Sequence, residues 1–257
     1  MTKEQLDYLV KLYTQHINKK GVDFYVKQDE GYKFDFVNNF QSHFDIESTD
    51  FHGMMSKSLL NNNLTSGVYF FPRKMLLHFI EQDENLVKDA IVKLFDTSVD
   101  VGVRIDNFIA LFDDLMEKEN IANKTDNHTF INMRFVSLLL AARCPDNYYL
   151  IKLSEYKCVA KFLNDNFFIP QNISVGEKYK LLADTADDIR GEIMKVPEVI
   201  SIHNAFVNKS NREQSRIMIE DDNYYWTTQD FIFITGGILK DNNEEGYVPK
   251  ISTNYLG

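Results

Sequence analysis

Phe130-Ile-Asn-Met-Arg-Phe-Val-Ser-Leu-Leu-Leu-Ala-Ala-Arg143 is apolar almost all round. A segment this long with apolar residues on every face reads as a buried helix rather than a surface one. Cys144-Pro-Asp-Asn follows it, and Pro145 biases its predecessor away from helix, so the spacing predicts a turn there. The neighbouring stretches must therefore supply one-sided helices that cover this one.

They do so by period. Leu6, Leu9, Val10, Tyr13 and Ile17 share one helical face, and Gly21 ends that run. Asp50 caps a helix carrying Phe51, Met54, Met55 and Leu59, and Asn61-Asn-Asn stops it. Pro72 sits where a helix begins, followed by Met75, Leu76, Phe79 and Ile80. Asp83 caps the next, and residues 101–116 make a further amphipathic helix. Ser154 is expected to cap a helix reaching Phe162. Ser174-Val-Gly-Glu has capping-box spacing. Thr227-Thr-Gln-Asp opens a last apolar helix, closed by Gly236-Gly237. Two stretches leave room for β-structure: residues 22–36, where Val22-Asp-Phe-Tyr-Val alternates, fit either a hairpin or a strand followed by a helix, and residues 148–151 fit a short extended piece. The expected fold is mainly α, a multi-helix bundle. It divides into a helical subdomain at 1–120, a second at 121–240 packed on the first, and a loose tail at 241–257.

Composition sets limits on function. The chain has 257 residues with 28 Lys+Arg against 38 Asp+Glu, a formal net charge of -10. Only 5 Pro and 11 Gly punctuate it, which disfavours a many-turned β-sandwich. Two cysteines, Cys144 and Cys158, make neither a disulfide framework nor a thiolate zinc site. The start lacks secretory features, and no apolar run approaches the roughly 18 residues of a membrane span. These features lead us to expect a soluble cytoplasmic protein without a membrane partner. Duplex DNA draws on Lys and Arg facing phosphates. Residues 59–120 carry 6 basic and 11 acidic side chains, a balance of -5, and are the poorest surface for it. The one basic excess is Arg134, Arg143, Lys152, Lys157 and Lys161, which face Asp146 and Glu155.

Motifs for bond chemistry are missing from the sequence. It contains neither phosphate-cradling Gly pattern, no Gly-x-Ser-x-Gly and no His-Glu-x-x-His. His43 and His52 lie among Asp45, Glu47 and Asp50, which reads as an acidic capping loop rather than a cation site. Asp114-Leu-Met-Glu117-Lys118 reads as solvated helix charge. We therefore expect no catalytic residue, no metal and no cofactor. Tyr148, Tyr149 and Tyr156 interleave with Lys152 and Lys157, as base stacking plus phosphate contact would require. Tyr148 and Tyr149 read more readily as core rings with wet hydroxyls after the Pro145 turn. With Arg134, Arg143 and Lys161, the three tyrosines and two lysines form the candidate nucleic-acid set. Asp113, Asp114 and Glu117 form the candidate partner-binding set. Tyr224-Tyr225-Trp226 beside Glu220-Asp221-Asp222 reads as a hydrophobic staple ahead of the last helix.

Taken in order, certain segments resemble a known family. They are Tyr32-Lys-Phe-Asp-Phe-Val-Asn-Asn-Phe-Gln, Phe44-Asp-Ile, Asp50-Phe51, Met54-Met55, Asn63-Leu64, Phe71-Pro-Arg-Lys-Met-Leu, Val101-Gly-Val-Arg104-Ile-Asp-Asn-Phe108, and Cys144-Pro145 through Tyr148-Tyr149, Lys152 and Tyr156. This succession, over residues 32–237, resembles the helical region that precedes the motor in McrB-like AAA+ proteins of modification-dependent restriction and phage defence. The resemblance implies a non-catalytic recognition or coupling module, with an AAA+ motor in cis or in trans, a separate nuclease subunit and DNA as partners. The family's P-loop, Mg²⁺-binding carboxylates and sensor Asn have no counterpart here, so no catalytic position carries over. Pro72, Arg104, Phe108 and Pro145 read as scaffold. The alternative is an acidic protein-interaction module without nucleic-acid contact.

Overall fold

The computed structural model describes residues 1–60, 62–67, 69–207 and 222–244. Its helices are α1 (Lys3–Lys20), α2 (Val22–Phe24), α3 (Tyr32–His43), α4 (Phe51–Ser58), α5 (Asn62–Thr65), α6 (Pro72–Gln82) and α7 (Glu84–Phe95). They continue as α8 (Val101–Asn123), α9 (Met133–Arg143), α10 (Leu153–Leu163), α11 (Val175–Ile193), α12 (Pro197–Val207) and α13 (Tyr225–Glu244). The fold is an all-α multi-helix assembly, as the periodicity predicts.

Helix α9 is the buried one. All its residues except Arg134 and Arg143 are shielded from solvent, and α3, α7, α8 and α11 surround it. Such a helix has no polar face to orient it, so neighbours on every side are what stabilise it. Local caps start the outer helices. Thr2 and Gln5 form a capping box on α1, and Ser174 with Glu177 does the same on α11. Asp50, Asp83 and Asp100 each accept from a backbone N–H in the first turn of α4, α7 and α8. Lys152, whose side chain makes no cap bond, stands where Ser154 was expected to cap α10.

Residues 22–36 are helical apart from a bend at Glu30 and Gly31, with α2 leading into one π-helical turn over Tyr25–Asp29 and then α3. The period-2 alternation misleads because the adjacent residues Tyr25 and Val26 are both buried, while Phe24 is 52% exposed. Residues 148–151 belong to no helix or strand. The Tyr149 N–H donates to the Tyr179 hydroxyl, and the Ile151 N–H to the Ser137 hydroxyl at 3.0 Å, so side chains take the place of a β-ladder. Among the described residues the one β-type pairing is the bridge between Gly67 and Phe70.

Helix α8 runs unbroken through residue 120, so the division expected at 120/121 falls inside a helix. Helix α13 begins at Tyr225, two residues before the expected Thr227, and places Tyr225 and Trp226 in its first turn rather than ahead of it. Gly236 and Gly237 do not close it. A Cβ on Gly236 would collide with the Glu155 backbone, so this glycine permits the close crossing of α13 over α10. Residues 241–244 of the expected tail complete α13, whereas 245–257, Glu220 and Asp221 lie outside the described residues. A second close crossing joins α8 and α11 at their starts, where Gly102 and Gly176 meet backbone to backbone. This contact sets the N-terminal turn of α11 alongside α8.

Candidate functional site

The expected nucleic-acid set is not one surface. Tyr149 and Tyr156 are 2% and 1% exposed, so neither ring is open to a base without opening the core. The Tyr149 hydroxyl donates to Asp187 at 2.6 Å and accepts from Arg190 at 2.9 Å. Burial, followed by the Asp187 carboxylate, pushes its phenol up. Burial does the same to Tyr156. Tyr148 accepts from Arg104 at 2.8 Å, and the buried Arg104 also donates to the Leu94 carbonyl. Lys152 pairs with Glu155 at 2.6 Å and lies over the Phe233 ring. Arg134 is half-buried over Phe70, and that desolvation lowers its guanidinium. This leaves Arg143, Lys157 and Lys161 exposed. Lys157 and Lys161 stand one turn apart on α10, and none of the three forms an ion pair among the described residues.

Other candidates are engaged locally. His43 contacts the Asn39 carbonyl, His52 faces Glu81, and Asp45 and Asp50 accept from nearby backbone. Among the described residues no three His, Cys, Asp or Glu converge as a metal site. Cys144 and Cys158 are partly buried free thiols, and burial raises both.

The acidic set divides. Asp114 pairs with Lys118 one turn on at 2.6 Å, on an exposed face. Asp113 and Glu117 instead line a groove of about 950 Å³. One wall is α8, with Ile109, Met116 and Ile121. The loop after α8 forms another wall, and Leu153 of α10 with Val175 and Lys178 of α11 also line the groove. Ile121 is 72% exposed and Leu153 39% exposed, so the apolar lining reaches solvent. Asp126 joins Asp113 and Glu117, and Lys178 is the one lysine or arginine of the lining.

The loop that forms the wall reads in sequence only as an Asn/Thr/Asp linker. Asn120 braces it from the helix: its Oδ1 accepts from the Thr125 hydroxyl and the Asn127 N–H, and its Nδ2 donates to the Asn127 carbonyl at 3.0 Å. The Thr129 hydroxyl donates to Asp113, which ties the wall to α8 again. Phe130 holds φ 55, a left-handed conformation that is an outlier for a bulky residue. Its ring meets Phe70, Phe71 and His128 edge-on. The acidic balance of residues 59–120 is the sequence signal that points to this site. The exposed Ile121 gave no periodic cue.

A second cluster went unseen in the sequence. Asp230 of α13 is fully buried and accepts from the Tyr13 hydroxyl at 2.7 Å, the Tyr25 hydroxyl at 2.8 Å and the Lys33 ammonium at 2.8 Å. Lys33 also pairs with Glu30 at 2.7 Å and lies over Phe233. Burial alone would lower this ammonium, but Asp230 and Glu30 outweigh it and hold Lys33 above the ordinary lysine value. Burial raises Glu30. With its charges and hydroxyls paired internally, the cluster acts as a tie between α1, the π turn, α3 and α13.

No protein-family model, curated protein or solved structure matches this chain.

Proposed function

We propose that this chain is a non-catalytic interaction module that docks a protein partner in the groove beside α8. In the McrB-like setting implied by its motif order, that partner is the AAA+ motor or the nuclease subunit of a restriction or phage-defence assembly. The observation that carries this reading is an apolar lining open to solvent and edged by Asp113, Glu117 and Asp126. A protein surface supplies apolar and cationic groups together, whereas carboxylates repel a phosphate backbone.

The test is a photo-crosslinking side chain placed at Glu117, and separately at Lys157, in cells that carry the chain naturally. The expected result is a discrete protein adduct from position 117 that is absent at 157. Equal adducts at both positions, or adducts to nucleic acid alone, overturn the reading.

A second reading, direct DNA contact, has Arg143, Lys157 and Lys161 in its favour, because these cations are exposed. Phosphate contact makes affinity fall with salt by close to one log–log unit per contact. K157E/K161E should then weaken a low-salt DNA complex and flatten its salt slope. No complex at low salt removes this reading.

A further inference from the structure

We infer that the occupant of the groove is a partner segment with apolar side chains along one side and Lys or Arg beside them. This rests on the docking reading above and adds the chemistry of the partner. The groove is within the size range of specific ligand sites, and Met116, Ile121, Phe130 and Leu153 give it an apolar lining that water now meets in part. An occupant must therefore bring apolar side chains to cover that lining.

Charge then decides among apolar segments. Asp113 and Glu117 stand one turn apart on α8, and Asp126 of the loop lines the same groove. Lys178 is the one lysine or arginine among the lining residues, so an acidic segment would meet more carboxylates than cations. The groove also includes the C-terminal turns of α8, where the helix dipole concentrates partial negative charge and favours cations. The Asn120 brace holds the loop in place before anything binds, which reduces the ordering cost of association.

Calorimetry on the full chain with two amphipathic peptides of about 14 residues tests this. One combines leucine with lysine, and the other places glutamate at the lysine positions. The leucine–lysine peptide should bind at least about tenfold tighter, and the margin should narrow as salt rises. D113K/E117K should abolish or invert that preference, with an unchanged circular dichroism melt as the folding check. D7K/E84K makes the same charge change at exposed positions outside the groove and should leave the preference in place. An equal loss in D7K/E84K would mean attraction by bulk charge alone and overturns the inference. So does a preference that survives D113K/E117K. If neither peptide binds while position 117 still crosslinks to a protein, the partner chemistry falls and the docking reading stands. If both experiments fail, both readings fall.

Discussion

The Lys33 ammonium on α3 donates a 2.8 Å hydrogen bond to the Asp230 carboxylate on α13, across 197 residues of chain. Both side chains are buried, at 2% and 0% exposure. A buried ion pair contributes little net stability when compared with well-packed apolar residues, but removing one partner leaves the other charged in the core. K33M should therefore cost about 3–5 kcal/mol, because Asp230 and Glu30 would then face each other without a cation. K33M/D230L should cost less than the sum of the two single changes. Urea unfolding of the four proteins measures this, and strict additivity would mean that the two groups do not interact.

Adjacent glycines in α13 should respond with opposite signs. A methyl at Gly236 meets the backbone of α10, so G236A is expected to destabilise by about 1–3 kcal/mol through overpacking. A methyl at Gly237 meets nothing within 4 Å. G237A should be neutral or stabilising by up to about 1 kcal/mol, since alanine is the better helix former. Thermal melts of the two variants decide this. A stable G236A would mean that α13 and α10 do not cross so closely.

His203 gives the fold a pH dependence. Burial holds its imidazole down at about 4, against an ordinary value of 6.5. The ring contacts the Thr227 hydroxyl at 2.8 Å and stacks on Tyr224. Between these two pH values the unfolded chain binds a proton that the folded chain refuses, so stability is complete above about pH 6.5 and declines as pH falls towards about 4. Glu30, whose carboxyl is raised, contributes with the opposite sign, so the wild type alone does not isolate the histidine. The difference in unfolding free energy between wild type and H203Q should shrink through this window. A constant difference would exclude His203 as its source.

Asn120 should control the groove more than the fold. Its half-buried side chain makes three hydrogen bonds to residues 125 and 127. N120A should speed amide exchange across residues 125–129 while changing global stability by no more than about 2 kcal/mol. Hydrogen exchange read by mass spectrometry shows both effects. Unchanged protection of the loop would mean that Asn120 does not brace it.

Much of the helical layout is visible in short stretches of sequence. The apolar run that becomes α9, Pro72 at the start of α6, the Asp50 and Asp83 caps and the Ser174–Glu177 box all act within a turn or two of the residues concerned. The misreadings are of one kind. Alternation at 22–26 passed for a strand because a π turn beneath it buries two adjacent residues. Gly236 passed for a stop because the reason for it lies on α10. Tyr149 reads as a core ring and is one, while the stacking alternative with Tyr156 stays open in the sequence because local spacing with lysines cannot say which side of a ring meets the core.

Hydrophobic period and capping are contests between a residue and its near neighbours, so the order of residues places most of the helices and marks the stretch that holds Asp113 and Glu117 as acidic. The tie between Lys33 and Asp230, and the groove joining α8 to α10 and α11, depend on segments that meet only after packing. A charge in the core is tolerable only beside its counterpart, and a groove exists only between walls. Both are properties of distance in space, which no run of neighbouring letters specifies.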